Sequence, residues 1–229
     1  TIDATGRNRI IARRFDPKKT RHAAKLVAFK THVRGAGTAA GSCEIFAYPG
    51  GYGGCNQVED GLHNLCFIAA ASETKRLGSD PERVLREMVF ANVRAAETLC
   101  DAIIVKPWIA VPIQSFGRNW LVPADGLITI GDAAAFIDPF TGSGMLMALE
   151  SARIAAAAIL ECSRFSELIV KYQKGHAAAF DRRLRICSML RHAAFVPFLA
   201  ESTISLLGLS TAFRRRLARA TRFNAGSVS

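Results

Sequence analysis

Acidic residues are scarce in this sequence. Across 229 residues, 30 Lys and Arg face 19 Asp and Glu, a formal net charge of +11. Cysteine motifs are missing as well. The six cysteines, at 43, 55, 66, 100, 162 and 187, form no Cys-x-x-Cys and no tight pair. That spacing excludes a zinc site or a dense disulfide scaffold and fits free thiols in a reducing compartment. His32, His63, His176 and His192 are scattered without partners at ligand spacing, and they read as surface or supporting residues. A Ser/His/Asp arrangement is not discernible, so hydrolysis has no support. Zinc-finger spacing, an RNP-type aromatic run, a helix-turn-helix pattern, internal repeats and low-complexity tracts are all missing, which leaves the basic charge without a nucleic-acid-binding motif.

What is present is a globular composition, half hydrophobic and about a fifth charged. The charge is concentrated at the ends. Residues 1–35 hold ten Lys/Arg against Asp3 and Asp16, and residues 176–229 hold nine Arg against Asp181 and Glu201, so the middle is net acidic. The chain opens at Thr1, not Met, and "TIDATGRNRIIARRF" reads as a strand end leading into a loop and a short helix, so the expectation is that upstream sequence was removed or that the gene is broken.

Residues 25–34 read as a strand, followed by the flexible "GAGTAAG". Runs at 43–48, 51–58 and 63–71 are expected to form an antiparallel meander, separated by Pro49-Gly50-Gly51 and by Glu59-Asp60-Gly61. A capping pattern from Ser79 to Glu82, with Pro81 in the first turn, predicts one helix to about Cys100. A further strand covers 102–113, bent or at an edge because of Pro107 and Pro112. Helices are expected at about 142–162 and 165–187, with two more after 193 that break near Gly208. The segment between Arg191 and Arg214 has Glu201 as its only full charge, but Pro197 and several Ser/Thr oppose a membrane span. It reads as an amphipathic pair that packs on the protein, covers a substrate opening or lies on a membrane surface.

The most informative stretch is "ITIGDAAAFIDPFTGSGMLMALESA", residues 128–152. A short strand ends in Gly131-Asp132, which places a carboxylate at the strand's C-terminal edge, where open α/β sheets bind ligands. Pro139 shapes the loop, and Gly142 and Gly144 let backbone amides approach a flat or anionic ligand. The helix that follows points its unpaired amides and positive dipole end at the same place. Asp138 reads as holding the loop through an Asx-type turn before Pro139, with a catalytic acid as the alternative.

"GDAAAFIDPFTGSGMLMALESA" resembles the second FAD fingerprint of flavoproteins with the para-hydroxybenzoate hydroxylase fold, which include aromatic-ring monooxygenases, flavin-dependent halogenases and geranylgeranyl reductases. The resemblance implies that Asp132 binds the ribityl chain and that Pro139 to Gly144 lies against the isoalloxazine ring. The implied cofactor set is Gly131, Asp132, Pro139, Thr141, Gly142, Ser143, Gly144 and Met145. "DATGRNRIIARR" resembles the family's internal Gly-Ala-Asp-Gly motif, with Thr5 where the family has Asp. "YPGGYGGCNQVEDG", residues 48–61, is similar to substrate-sheet strands of the geranylgeranyl-reductase-like branch, and it would place Tyr48, Tyr52 and Cys55 over the flavin face as candidate pocket or proton-donating residues. The G-x-G-x-x-G unit that opens such proteins is not supplied, because Gly35, Gly37 and Gly41 do not begin a helix after a strand.

The expected fold class is α/β (α+β mixed): a partial FAD-binding Rossmann-like domain with an inserted antiparallel substrate-binding sheet and a helical C-terminus. The expected segments are 1–22 and 116–175 for the FAD-binding part, 23–115 for the substrate sheet and 176–229 for the basic helical end. The implied function is an FAD-dependent oxidoreductase, with NAD(P)H as donor, that reduces or hydroxylates an apolar small molecule such as an isoprenoid, a lipid or a polyketide-like ring. Halogenation is disfavoured because the family's tryptophan-containing motif is not apparent. The location implied is cytoplasmic, with a membrane surface as a further partner of the C-terminal helices. The alternatives are a truncated non-catalytic remnant or a basic membrane-surface or nucleic-acid-binding protein.

Overall fold

The computed structural model describes residues 1–15, 24–114, 116–139 and 142–195. In chain order the elements are β1 (Ile2–Asp3), β2 (Leu26–Arg34), β3 (Cys43–Tyr48), β4 (Gly51–Gln57), β5 (His63–Ala70), α1 (Ala71–Arg76), α2 (Pro81–Glu87), α3 (Val93–Leu99), β6 (Ile103–Ile104), β7 (Ile109–Ile113), β8 (Gly117–Arg118), β9 (Ile128–Thr129), β10 (Ala135–Phe136), α4 (Gly144–Glu161) and α5 (Phe165–Phe195). The mixture of sheet and helix is that of the α/β class. The described residues divide into two compact units, one of residues 24–114 and one of residues 1–15, 116–139 and 142–191.

In the first unit, β3, β4, β5 and β2 form an antiparallel sheet in that order, with β6 and β7 both pairing β2. Side chains alternate across a strand. Phe29, Thr31 and Val33 of β2, Phe46 and Tyr48 of β3, and Leu65, Phe67 and Ala69 of β5 are therefore buried on one face. Leu77, Val84, Met88, Val89, Ala95 and Leu99, from the helical region after β5, close the core.

Strand β4 runs between two aromatic strands and is glycine-rich for a steric reason. A Cβ at Gly51 would lie 2.5 Å from the Tyr48 ring and 2.1 Å from the Ile68 carbonyl oxygen, and one at Gly53 would lie 2.8 Å from Phe67 Cβ.

The expected single helix to Cys100 is broken. Ser79 takes a left-handed φ of 59°, and it is Asp80 that caps α2, accepting from the Glu82 amide at 2.9 Å. Residues 89–91 tighten into a 3-10 turn, and Asn92 then caps α3. Asn92 Oδ1 accepts from the Ala95 amide at 3.0 Å while its Nδ2 donates to the Ala47 carbonyl at 3.0 Å, so the cap is tied to the sheet. The expected strand 102–113 is likewise split into β6 and β7 around Pro107. Helix α1 was not foreseen, and α5 runs past the expected end at 187.

In the second unit β1 pairs β9 in parallel, with Ile2 opposite Ile128 and Asp3 opposite Thr129. Strands β8 and β10 pair antiparallel. The alanine-rich α4 buries Met147, Ser151, Ala155 and Ala158. A Cβ at Gly175 of α5 would lie 2.8 Å from Ile154 Cγ2 of α4, so small residues set this close helix crossing. Tyr172 of α5 donates its hydroxyl to the Thr129 carbonyl at 2.6 Å. Among the described residues no helix is long and apolar enough to cross a membrane. The amphipathic pair and the break near Gly208 lie outside the described residues.

Candidate flavin cleft

Strand β9 stops after Thr129 because Gly131 takes a left-handed φ of 59° and the chain tightens into a 3-10 turn over Gly131–Ala133. The turn is pinned from below: the Gly131 amide donates to Ser151 Oγ at 2.7 Å, and that hydroxyl donates to the Ala148 carbonyl at 2.8 Å. A Cβ at Gly131 would lie 3.3 Å from Ala148 Cβ, so turn and helix meet at minimal separation. Gly142 has a φ of 61° with open space where its Cβ would be, so it is present for backbone conformation. Its amide donates to the Pro139 carbonyl at 3.0 Å.

These features surround a cleft of about 500 Å³, lined by Ala4, Gly6, Ile130, Gly131, Asp132, Phe136, Ile137, Pro139, Gly142, Gly144, Met145 and Ala148. Of the residues expected from sequence, Gly131, Asp132, Pro139, Gly142, Gly144 and Met145 are brought together here. Ser143 is buried instead of lining the cleft, and Thr141 lies outside the described residues. Helix α4 begins at the cleft, and its first-turn amides have no intrahelical acceptors.

The other wall comes from the loop after β1, which sequence reasoning did not assign to the same cavity. Asp3 is fully buried and organises this loop: Oδ1 accepts from the Thr5 amide (2.9 Å) and the Thr5 hydroxyl (2.6 Å), and Oδ2 accepts from the Ala12 amide (2.8 Å). Burial opposes ionisation, but these hydrogen bonds and the charge of Arg9 outweigh it and hold the carboxyl below its ordinary range. Thr5 Oγ1 also accepts from the Ile10 amide at 2.7 Å, which gives the Asp-to-Thr position a structural use. Asp132 has the opposite shift, raised by burial against the opposing charge of Arg7.

The remaining candidates sit elsewhere. Tyr48 is in the core of the sheet unit, its hydroxyl within hydrogen-bond distance of the Tyr52 (3.0 Å) and Ile68 (2.9 Å) carbonyls, and burial raises its pKa further above the ordinary phenol. Burial, followed by the charge of Glu44, pushes the fully buried Cys55 thiol up to about 12. Tyr52 is buried on the opposite face of β4. All three side chains are enclosed, and those of Tyr48 and Cys55 belong to the core of the sheet unit. His63 and His176, read as surface or supporting residues, are both buried, His176 between the rings of Tyr172 and Phe180. Asp138 is buried too, and its carboxylate lies 3.9 Å from Arg191 Nε. An open groove of about 580 Å³ between residues 118–122 and Gln173–Ala177 has neither a helix N-terminus nor a glycine turn.

Comparison with known structures decides the fold. The flavin-dependent brominase Bmp2 superposes over 100% of this chain and 59% of its own length, with a TM-score of 0.73 at 15% identity. The chain carries the para-hydroxybenzoate hydroxylase fold. HpxO of Klebsiella pneumoniae, solved with FAD and uric acid, shares the fold over 96% of this chain and 59% of that one, with a TM-score of 0.69 at 17% identity. Among curated proteins, the digeranylgeranylglycerophospholipid reductases of Methanosphaerula palustris and Methanocella arvoryzae are 30% identical over 112 residues and 33% identical over 137. A 1H-pyrrole-2-carbonyl-[peptidyl-carrier protein] chlorinase of Pseudomonas fluorescens is 39% identical over 79 residues. The two reductase matches cover 49% and 57% of this chain but only 25% and 32% of those proteins, so the chain spans less than a third of their length. No family model matches the sequence.

Proposed function

We propose that this chain supplies the flavin-ring side of an FAD-dependent oxidoreductase. The observation that carries the reading is the convergence of Gly131, Asp132, Pro139, Gly142, Gly144 and Met145 on one cleft at the start of α4. The residues present fit the group. Ile130, Phe136, Ile137 and Met145 offer an apolar wall to a flat ring, the glycines offer close backbone, and Asp132 offers an acceptor for hydroxyls of a ribityl chain. Bound there, FAD supplies the redox chemistry.

The protein's own contribution is orientation and electrostatics. The first-turn amides and dipole of α4 favour negative charge at the cleft, the charge that a flavin ring gains on reduction. Asp132 acts as an anchor and takes no part in bond making. The reductase relatives act on an isoprenoid phospholipid, as their names state, which supports an apolar substrate for this chain. NAD(P)H is the electron donor in this proposal. Reduction of a double bond and hydroxylation are separated by oxygen consumption coupled to product.

The test is FAD binding, read from flavin absorbance and fluorescence, with the protein from its source and the Asp132→Ala variant. Bands that weaken by about tenfold in affinity, a loss of about 1.4 kcal/mol, support the reading. A natural protein that is colourless and takes up no added FAD refutes it and leaves a non-catalytic remnant.

A further inference from the structure

Phe136, Ile137 and Pro139 line the cleft, and Asp138 between them does not. It lines a second, small cavity of about 60 Å³ with Phe116, Leu184, Cys187 and Arg191, and Phe136 and Ile137 border both spaces. Its side chain is 3% exposed, and Arg191 Nε of α5 lies 3.9 Å from Oδ2. The Arg191 guanidinium carbon sits 4.8 Å from the centroid of the Phe116 ring, and Phe116 stacks on Phe136 with centroids 5.3 Å apart. A cation–π contact, a ring stack and an ion pair therefore join α5 to the short segment that enters Pro139. A buried carboxylate is costly unless it is compensated, so its place behind the cleft wall calls for a purpose.

We propose that Asp138 and Arg191 form a latch that holds the cleft wall at residues 136–139 in its ligand-receiving shape. The proposal rests on the flavin reading for what the cleft receives, and on geometry for the latch itself. Both are positioning residues: neither lines the cleft, and they act through Phe136, Ile137 and Pro139. The latch also removes a liability, because the Arg191 charge offsets an anion lying behind a surface that receives a group gaining negative charge.

The experiment is a double-mutant cycle on the full chain with Arg191→Met, Asp138→Asn and the two combined, plus Arg191→Lys. Hydrogen–deuterium exchange of a peptide spanning residues 131–148 is measured without flavin, a peptide from β2 serves as internal control, and FAD affinity is titrated in parallel. Each single change is expected to raise exchange in that peptide and weaken FAD binding by about tenfold, with the β2 peptide unmoved. The double variant is expected to be no worse than the worse single, and Arg191→Lys to retain most of the protection. Unchanged exchange, additive effects in the double variant, or Arg191→Lys behaving like Arg191→Met would each overturn the latch. Coupled exchange in a protein that binds no FAD would refute the flavin reading and leave the latch standing.

Discussion

Acid is expected to loosen the α4–α5 unit through one buried imidazole. His176 is 1% exposed, with the Tyr172 and Phe180 rings at 5.9 Å and 4.6 Å between centroids, and its Nδ1 has no hydrogen-bond partner among the described residues. Burial, assisted by the Arg118 charge, lowers its pKa from 6.5 to about 4. Because the folded value lies below the unfolded one, the unfolded chain takes up the proton first. Stability is therefore full above pH 6.5, falls as pH drops below it, and stops falling below pH 4. Linkage gives a loss of about 2 kcal/mol at pH 5 and a limit of roughly 3 kcal/mol. That is a large share of a typical folding free energy of 5–15 kcal/mol. Asp132 works in the opposite direction, since a raised carboxyl pKa favours the folded state as it protonates, so a substitution is needed to isolate His176. Urea midpoints read by circular dichroism at pH 7, 6, 5 and 4.5 should fall steeply for the natural protein and much less for His176→Phe, which keeps the ring packing without the titration. Identical pH slopes for the two proteins would refute the argument.

Three further outcomes follow from packing. Gly53→Val places atoms where Phe67 already lies, and it should lower the urea stability of the sheet unit by about 3 kcal/mol, in the range of overpacked cores. Asn92→Ala removes the α3 cap together with the bond to Ala47, and a loss of about 1–2 kcal/mol is expected by thermal melting. In a native thiol titration with a disulfide reagent, the exposed Cys43 and Cys100 should react quickly while Cys55 stays silent until urea is added.

Much of the sheet was legible because alternation is a local signal. Phe46 and Tyr48, then Leu65, Phe67 and Ala69, announce a buried face without knowledge of any partner strand. The break between α2 and α3 was hidden because Val84, Met88, Ala95 and Leu99 keep helical spacing across it. Only the side chain of Asn92, reaching to a strand 45 positions away, fixes the second start. The loop of the cleft was readable from its glycines and Asp132. Its other wall was not, because Ala4 and Gly6 reach the cavity only through the β1–β9 ladder. The burial of His176 was equally hidden, because a histidine in the stripe Tyr172–His176–Phe180 reads as well at the edge of a buried face as inside it.

The parallel pairing of β1 with β9 has a consequence for how such a protein can change. The chain leaves the ladder after Asp3 and rejoins it at Ile128, beside the residue it left, so everything between is a detour that returns to its point of departure. The sheet unit of residues 24–114 lies wholly inside that detour, while both strands of the ladder belong to the other unit. Every residue that lines the cleft lies outside residues 24–114, on the segments that flank the detour. Sequence change confined to the sheet unit therefore leaves the lining of the cleft unaltered.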